Sequence, residues 1–167
     1  MQLIIHDLTK EEWNSLHTNL TDAEVIANHG KIKNCIGCFG CWVKTPGQCI
    51  IADEYQKMGE LLGKTDELVI ISKCSFGGFS SFVKNVLDRS ISYILPYFEI
   101  RNKEMHHRSR YKNHIKMNVI LYGDEITEAE ESTAKQLVEA NAINLNGTVE
   151  SLTFVSDVKK LKEVIPW

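Results

Sequence analysis

The chain has 167 residues, 19 Lys+Arg, 22 Asp+Glu and 6 His, for a formal net charge of -3. One domain with a sizeable core fits that length, and 43% hydrophobic with 25% charged residues excludes an intrinsically disordered chain. No apolar run reaches the roughly 18 residues a membrane span needs, and the slight acidity argues against nucleic acid as the main partner.

Met1 to Asp7 has no basic n-region and no long apolar stretch, so it reads as a strand rather than a signal peptide. A cytoplasmic protein is expected. Leu3 to Ile5 forms the first strand, and Thr9-Lys-Glu-Glu12 is a capping box that opens a helix. Ala23 to Ala27 is a second strand. Gly30 to Ile50 is loop-like and holds four of the five cysteines.

Asp53-Glu-Tyr-Gln56 is expected to open a helix that carries Met58, Leu61 and Leu62. Leu68-Val-Ile-Ile71 is a continuous apolar run, as in a strand buried on both faces. Ser80 or Ser81 caps a further helix with Phe82, Val83, Val86, Leu87, Ile91 and Ile94 on one stripe, and Pro96 is expected to end it. The stripe, with Tyr93 to Phe98, is more apolar than one helix face needs, which suggests a homodimer core.

Residues 97 to 115 read as a polar, basic connection. Arg101 to Lys112 contains five Lys/Arg and two His against one acid, either a solvated loop or an anion clamp. A fourth strand holds Val119 to Leu121. Thr127-Glu-Ala-Glu130 caps a helix to about Asn144, Val149 to Val155 is a fifth strand, and Asp157 to Ile165 a closing helix. Alternating strands and helices give an α/β domain over residues 1–167 with a mostly parallel sheet. Ligands of such sheets bind beyond the carboxyl ends of the strands, at the switch point.

Cys35, Cys38, Cys41 and Cys49 form a C-x2-C-x2-C-x7-C array. Two-residue spacing turns successive thiols toward one centre, and Gly37 and Gly40 relieve crowding in the wrap. Three readings stay open: free or redox-active thiols, which we favour narrowly, a [4Fe–4S] cluster, and zinc. Zinc fits least well, because its usual sites separate two Cys pairs by a longer knuckle. Cys74, at the end of the third strand, reads as a small buried hydrophobe.

The cysteine loop after the second strand, Asp53-Glu54, Leu68 to Ser72, Phe76-Gly-Gly-Phe-Ser-Ser-Phe-Val-Lys84 and Leu87-Asp-Arg89 together resemble the NADPH-dependent FMN reductase-like branch of the flavodoxin-like proteins. The cysteine array also resembles the iron–sulfur flavoproteins of that branch. The resemblance implies a flavodoxin-like three-layer sandwich with a five-stranded parallel sheet of order 2-1-3-4-5. It implies an FMN-dependent oxidoreductase that uses NAD(P)H and a small-molecule redox substrate, as a homodimer or tetramer, with no membrane or nucleic-acid partner. A redox-sensing or binding module without flavin, or an iron–sulfur electron-transfer flavoprotein, is the alternative.

For the flavin ring the resemblance implies Lys73, Cys74, Ser75, Phe76, Gly77, Gly78 and Phe79, with Gly123 and Asp124 nearby. Phe76 or Phe79 would cover a face of the ring. Thr9 lies at the phosphate end, and no catalytic side chain is implied. The first loop departs from the family's Ser/Thr/Asn-rich phosphate cradle: Asp7, Glu11 and Glu12 set three carboxylates against Lys10.

Overall fold

The computed structural model describes residues 1–16, 20, 22–30, 32–101 and 103–165. Trp167 and Asn102, the latter inside the basic stretch, lie outside them. In chain order the elements are β1 (Gln2–His6), α1 (Lys10–Ser15), β2 (Ala23–Ala27), α2 (Gly40–Val43), α3 (Met58–Gly63), β3 (Glu67–Lys73) and α4 (Ser81–Arg89). β4 (Ile94–Arg101), β5 (Glu104–Ser109), β6 (Ile115–Tyr122), α5 (Glu128–Asn144), β7 (Gly147–Val155) and α6 (Leu161–Val164) follow.

Five strands form one parallel sheet of order β2-β1-β3-β6-β7. With the separate β4–β5 hairpin set aside, this is the expected 2-1-3-4-5 order. The chain leaves β1 for β2 on one side and later places β3 on the other, so the switch point lies between β1 and β3.

Side chains alternate across the sheet. Leu3, Ile5, Leu68, Ile70, Val119 and Leu121 face a core shared with Met58 and Leu62 of α3, Val83 and Val86 of α4, and Val138 of α5. Ile4, Val69, Ile71 and Ile120 face the opposite core with Leu8, Leu16 and Leu161. Both faces are therefore covered, which is why β3 has five consecutive buried residues. No helix among the described residues is long and apolar enough to cross a membrane.

Both capping boxes form as expected. The Thr9 side chain accepts from the Glu12 amide at 3.2 Å, and Glu12 accepts from the Thr9 amide at 2.8 Å. Thr127 and Glu130 repeat the pattern at 3.3 and 3.0 Å.

Three local expectations are corrected. Asp53 does not open a helix: its carboxylate accepts from the Tyr55 amide in a turn, and α3 starts only at Met58. α4 stops at Arg89, where Ser90 turns its hydroxyl back onto the Val86 carbonyl, and Pro96 lies inside β4. The β4–β5 pairing shifts register between Ile94 and Phe98, where proline supplies no N–H to the ladder.

The third correction concerns Phe82, Val86 and Tyr93, which are buried in the chain's own core rather than held ready for a partner. The basic stretch is the β4–β5 hairpin. Arg101 donates to the Ile143 and His107 carbonyls at 3.3 and 3.0 Å, and Arg110 to the Ser92 carbonyl at 2.8 Å, so these guanidinium groups brace backbone.

Candidate functional site

Two regions contain the residues singled out from the sequence. The first is the carboxyl end of the sheet. The Cys74 amide donates to the Tyr122 carbonyl at 2.8 Å, which brings the segment after β3 beside Gly123. Ser75 and Gly78 pair with each other through both backbone groups, at 2.8 and 2.9 Å, and make a tight turn. Phe76 and Gly77 at its tip have φ of 53° and 74°.

Gly77 is required there on two counts. Its positive φ suits glycine, and a Cβ would lie 2.7 Å from the Thr133 Cβ and 2.8 Å from the Glu130 carbonyl oxygen of α5. At Gly78 a Cβ would meet only ordinary contacts, at 3.4 Å or more. The two aromatic residues diverge: Phe76 is 94% exposed, while Phe79 is 1% exposed and belongs to the core. Burial raises the pKa of the Cys74 thiol.

Asp7 holds this end of the sheet together. Its carboxylate accepts from the Lys73 amide at 2.9 Å and from the Tyr122 hydroxyl at 3.0 Å, so one side chain ties the ends of β1, β3 and β6. Burial first, and then the Asp7 carboxylate, raise the Tyr122 hydroxyl far above the usual phenol range, which keeps it an O–H donor. Thr9, expected at a phosphate, instead exchanges hydrogen bonds with Glu12. His6 stacks on Trp13 with ring centroids 4.1 Å apart, and among the described residues neither of its ring nitrogens has a hydrogen-bond partner. Desolvation, with a smaller repulsion from His29, lowers its pKa to about 4.

The second region is the cysteine loop. Cys35, Cys38, Cys41 and Cys49 all line one cavity of about 320 Å³, walled also by Phe39, Trp42, Ile51, Ile91, Asp88 and Arg89. Cys35 and Cys38 are exposed at its rim; Cys41 and Cys49 are buried. Phe39 enters the short helix α2 in the left-handed region, at φ 57°, and so reverses the chain between the second and third cysteines. Trp42 packs at the wall and donates its indole N–H to the Ile94 carbonyl at 2.9 Å. Burial, followed by the neighbouring Cys49 thiol, pushes the Cys41 thiol up.

The sulfurs are not drawn into a single-ion arrangement, and among the described residues no three His, Cys, Asp or Glu side chains gather tightly enough to hold one metal ion. The four thiols instead surround a space.

Arg89 braces this loop, a role the sequence did not single out. Its side chain is fully buried, and all five N–H donors are used. Nη1 and Nη2 clasp the Asp53 carboxylate at 2.8 and 2.7 Å, and reach the Lys33 and Ile51 carbonyls at 2.8 and 3.2 Å. Nε donates to the Cys49 sulfur at 3.2 Å. The guanidinium hydrogen bonds hold Asp53 below the usual carboxylate range. One side chain of α4 thus fixes both ends of the cysteine loop. The only hints in the sequence were a Leu-Asp-Arg at a helix end and an acid just past the loop, which many surface ion pairs would match.

No family model matches the chain. It is similar to an iron-sulfur flavoprotein of Methanocaldococcus jannaschii, 32% identical over 97 residues, which are 58% of this chain and 49% of that protein. An iron-sulfur flavoprotein of Archaeoglobus fulgidus is 32% identical over 83 residues, 49% of this chain and 40% of that one. The chain matches half or less of the length of these curated relatives.

Among solved structures, an FMN-dependent NADH-azoreductase from Bacillus anthracis in complex with FMN superposes with a TM-score of 0.55 at 14% identity, over 98% of this chain and 96% of that one. The Trp repressor binding protein of Bacillus subtilis gives 0.53 at 11% identity, over 98% and 94%. The chain has the flavodoxin-like fold of these solved structures, and the curated relatives carry the name of the iron–sulfur flavoproteins that the cysteine array resembles.

Proposed function

We propose that the chain is an NAD(P)H-linked flavin oxidoreductase of the iron–sulfur flavoprotein kind, with a [4Fe–4S] cluster held in the cysteine pocket and a small molecule as electron acceptor. The observation that carries this reading is the placement of four thiols around one largely apolar cavity, backed by the names of the relatives. When bound, such a cluster supplies one-electron transfer, and a flavin links that to the two-electron chemistry of a nicotinamide.

The chain's own residues have definable roles. Cys35, Cys38, Cys41 and Cys49 would be the ligands. Arg89 fixes the Cys49 sulfur and places a permanent positive charge beside thiolates that would otherwise repel one another. Trp42, Ile51 and Ile91 wall the cavity and limit water. The turn at Ser75 to Gly78, beside Gly123 and Asp124, is the surface offered to a flavin ring, with Phe76 free to lie against it. The phosphate end does not fit FMN in the manner the resemblance implies, because Asp7, Thr9 and Glu12 fill it.

The finer assignments belong to the same reading. We place the protein in the cytoplasm, as a homodimer that meets across the hairpin face. There Tyr97, Phe98, Ile100 and Met105 are exposed, close to exposed Phe39 and Val43. Sedimentation at micromolar concentration should show a dimer, and a monodisperse monomer would contradict that placement.

Purification without air, with iron, sulfide and flavin analysis, tests the whole reading. About four irons and four sulfides per chain are expected. Cys→Ser at any one of the four positions should release most of the iron, while Cys74→Ser leaves it in place. A second reading, a thiol redox sensor that carries no flavin, is favoured by the carboxylates at the end of β1. It requires a colourless protein that stays free of flavin in excess FMN and changes assembly on thiol oxidation.

A further inference from the structure

We infer that the carboxyl end of β1 excludes a phosphate group, so that this chain takes a flavin through its ring and gives no preference to flavin mononucleotide over the dephosphorylated flavin, riboflavin. The inference rests on the flavin reading above and sharpens its ligand class.

At a switch point of this kind, backbone N–H groups beyond β1 are the natural anion donors. Here the chain supplies the anions itself. The Lys73 amide is spent on Asp7 Oδ2 at 2.9 Å, and the Tyr122 hydroxyl, the nearby neutral donor, on Asp7 Oδ1 at 3.0 Å. The Thr9 amide is spent on Glu12 Oε2 at 2.8 Å, and the Glu12 amide on Thr9 Oγ1 at 3.2 Å. α1 has six residues, too few to build a strong dipole at its start, and Glu11 joins Glu12 as a second carboxylate in its first turn.

A dianionic phosphate would have to displace these bonds and then sit against two or three carboxylates with Lys10 as the one cation in that loop. The ring side presents no such obstacle. The Ser75–Gly78 turn and Gly123 are uncharged, and Phe76 at the tip is exposed.

The test is a fluorescence-quenching titration of the purified full chain with FMN and with riboflavin in low salt. It is repeated on a D7N/E12Q double variant, which removes two negative charges and keeps an acceptor oxygen on each side chain. The wild type should bind the two flavins within about threefold of each other. In the variant, FMN affinity should rise about tenfold or more relative to riboflavin, while riboflavin affinity stays within about threefold; a thermal melt confirms that the variant is folded. Wild-type binding of FMN more than tenfold tighter than riboflavin overturns the inference and leaves the flavin reading standing. Binding of neither flavin to the wild type overturns both.

Discussion

The carboxyl end of the sheet and the cysteine pocket are built on opposite principles. At the first, the strongest donors and acceptors already answer one another: Asp7 with Lys73 and Tyr122, Thr9 with Glu12, Ser75 with Gly78. At the second, four thiols face a cavity, and among the described residues the one side chain that donates to a sulfur is an arginine whose other bonds all serve to frame the loop. On the proposed reading the electron-transfer centre lies at the thiols, and the sheet end offers a flavin ring only the Ser75–Gly78 turn. Polar groups that satisfy each other specify structure, whereas thiols around a cavity leave room for a ligand.

The largest expected effect tests the frame of the pocket. Arg89→Met leaves the Asp53 carboxylate and two carbonyls without their buried partner, which should destabilise the chain by about 3–5 kcal/mol. At this size that is a melting temperature lower by roughly 10 °C. A melt within 2 °C of wild type, on the same roughly 1 kcal/mol per few degrees scale, would mean that the guanidinium does not organise the loop.

Next comes the acid sensitivity of the sheet end. His6 is neutral in the folded chain, with its pKa lowered from 6.5 to about 4. The unfolded imidazole takes up a proton below pH 6.5 that the folded one refuses until about pH 4. Stability is therefore full above pH 6.5 and falls as the pH drops through that window, by about 3 kcal/mol in total. Urea unfolding at stepped pH should show this slope, and His6→Leu should flatten it. An unchanged slope in the variant would place the acid sensitivity elsewhere.

Smaller effects probe the self-satisfied end directly. Gly77→Ala forces a side chain into a left-handed backbone and against α5, for a loss of about 1–3 kcal/mol by chemical denaturation. Gly78→Ala, with φ outside that region, should lose less than half as much, and equal losses would contradict the assigned turn. Thr9→Ala should lose about 1 kcal/mol through the uncapped helix. A stabilised variant would show that the capping box is strained rather than satisfied.

Much of this was legible along the chain because it is local. The four-residue apolar run of β3 and the two capping boxes follow from periodicity and short-range hydrogen bonding, the order of the parallel sheet is the one the family resemblance implies, and the structure has all three as expected. The β4–β5 hairpin was not legible: Pro96 reads as a helix stop, and the dense charge from Arg101 to Lys112 reads as solvated loop. In fact proline sits where the pairing is irregular, and Arg101 and Arg110 bond backbone carbonyls.

The cysteine array announced a shared centre, and its four members do share one cavity. What spacing could not give is the pairing of Arg89 with Asp53 across 36 positions, or the reach of Asp7 to Lys73 and Tyr122 across 66 and 115. Such long-range contacts depend on the assembled sheet. Phe82 and Val86 show the same limit in reverse: an apolar stripe does not say whether it faces the chain's own core or a partner.

The most direct test of the contrast is electron paramagnetic resonance on the air-free, chemically reduced chain. If the cysteine pocket is the redox centre, the wild type gives a reduced [4Fe–4S] signal stoichiometric with the chain. Cys41→Ser abolishes it, and D7N/E12Q, altered only at the other end, leaves it unchanged. A wild-type preparation with no cluster signal and no bound iron would contradict the account.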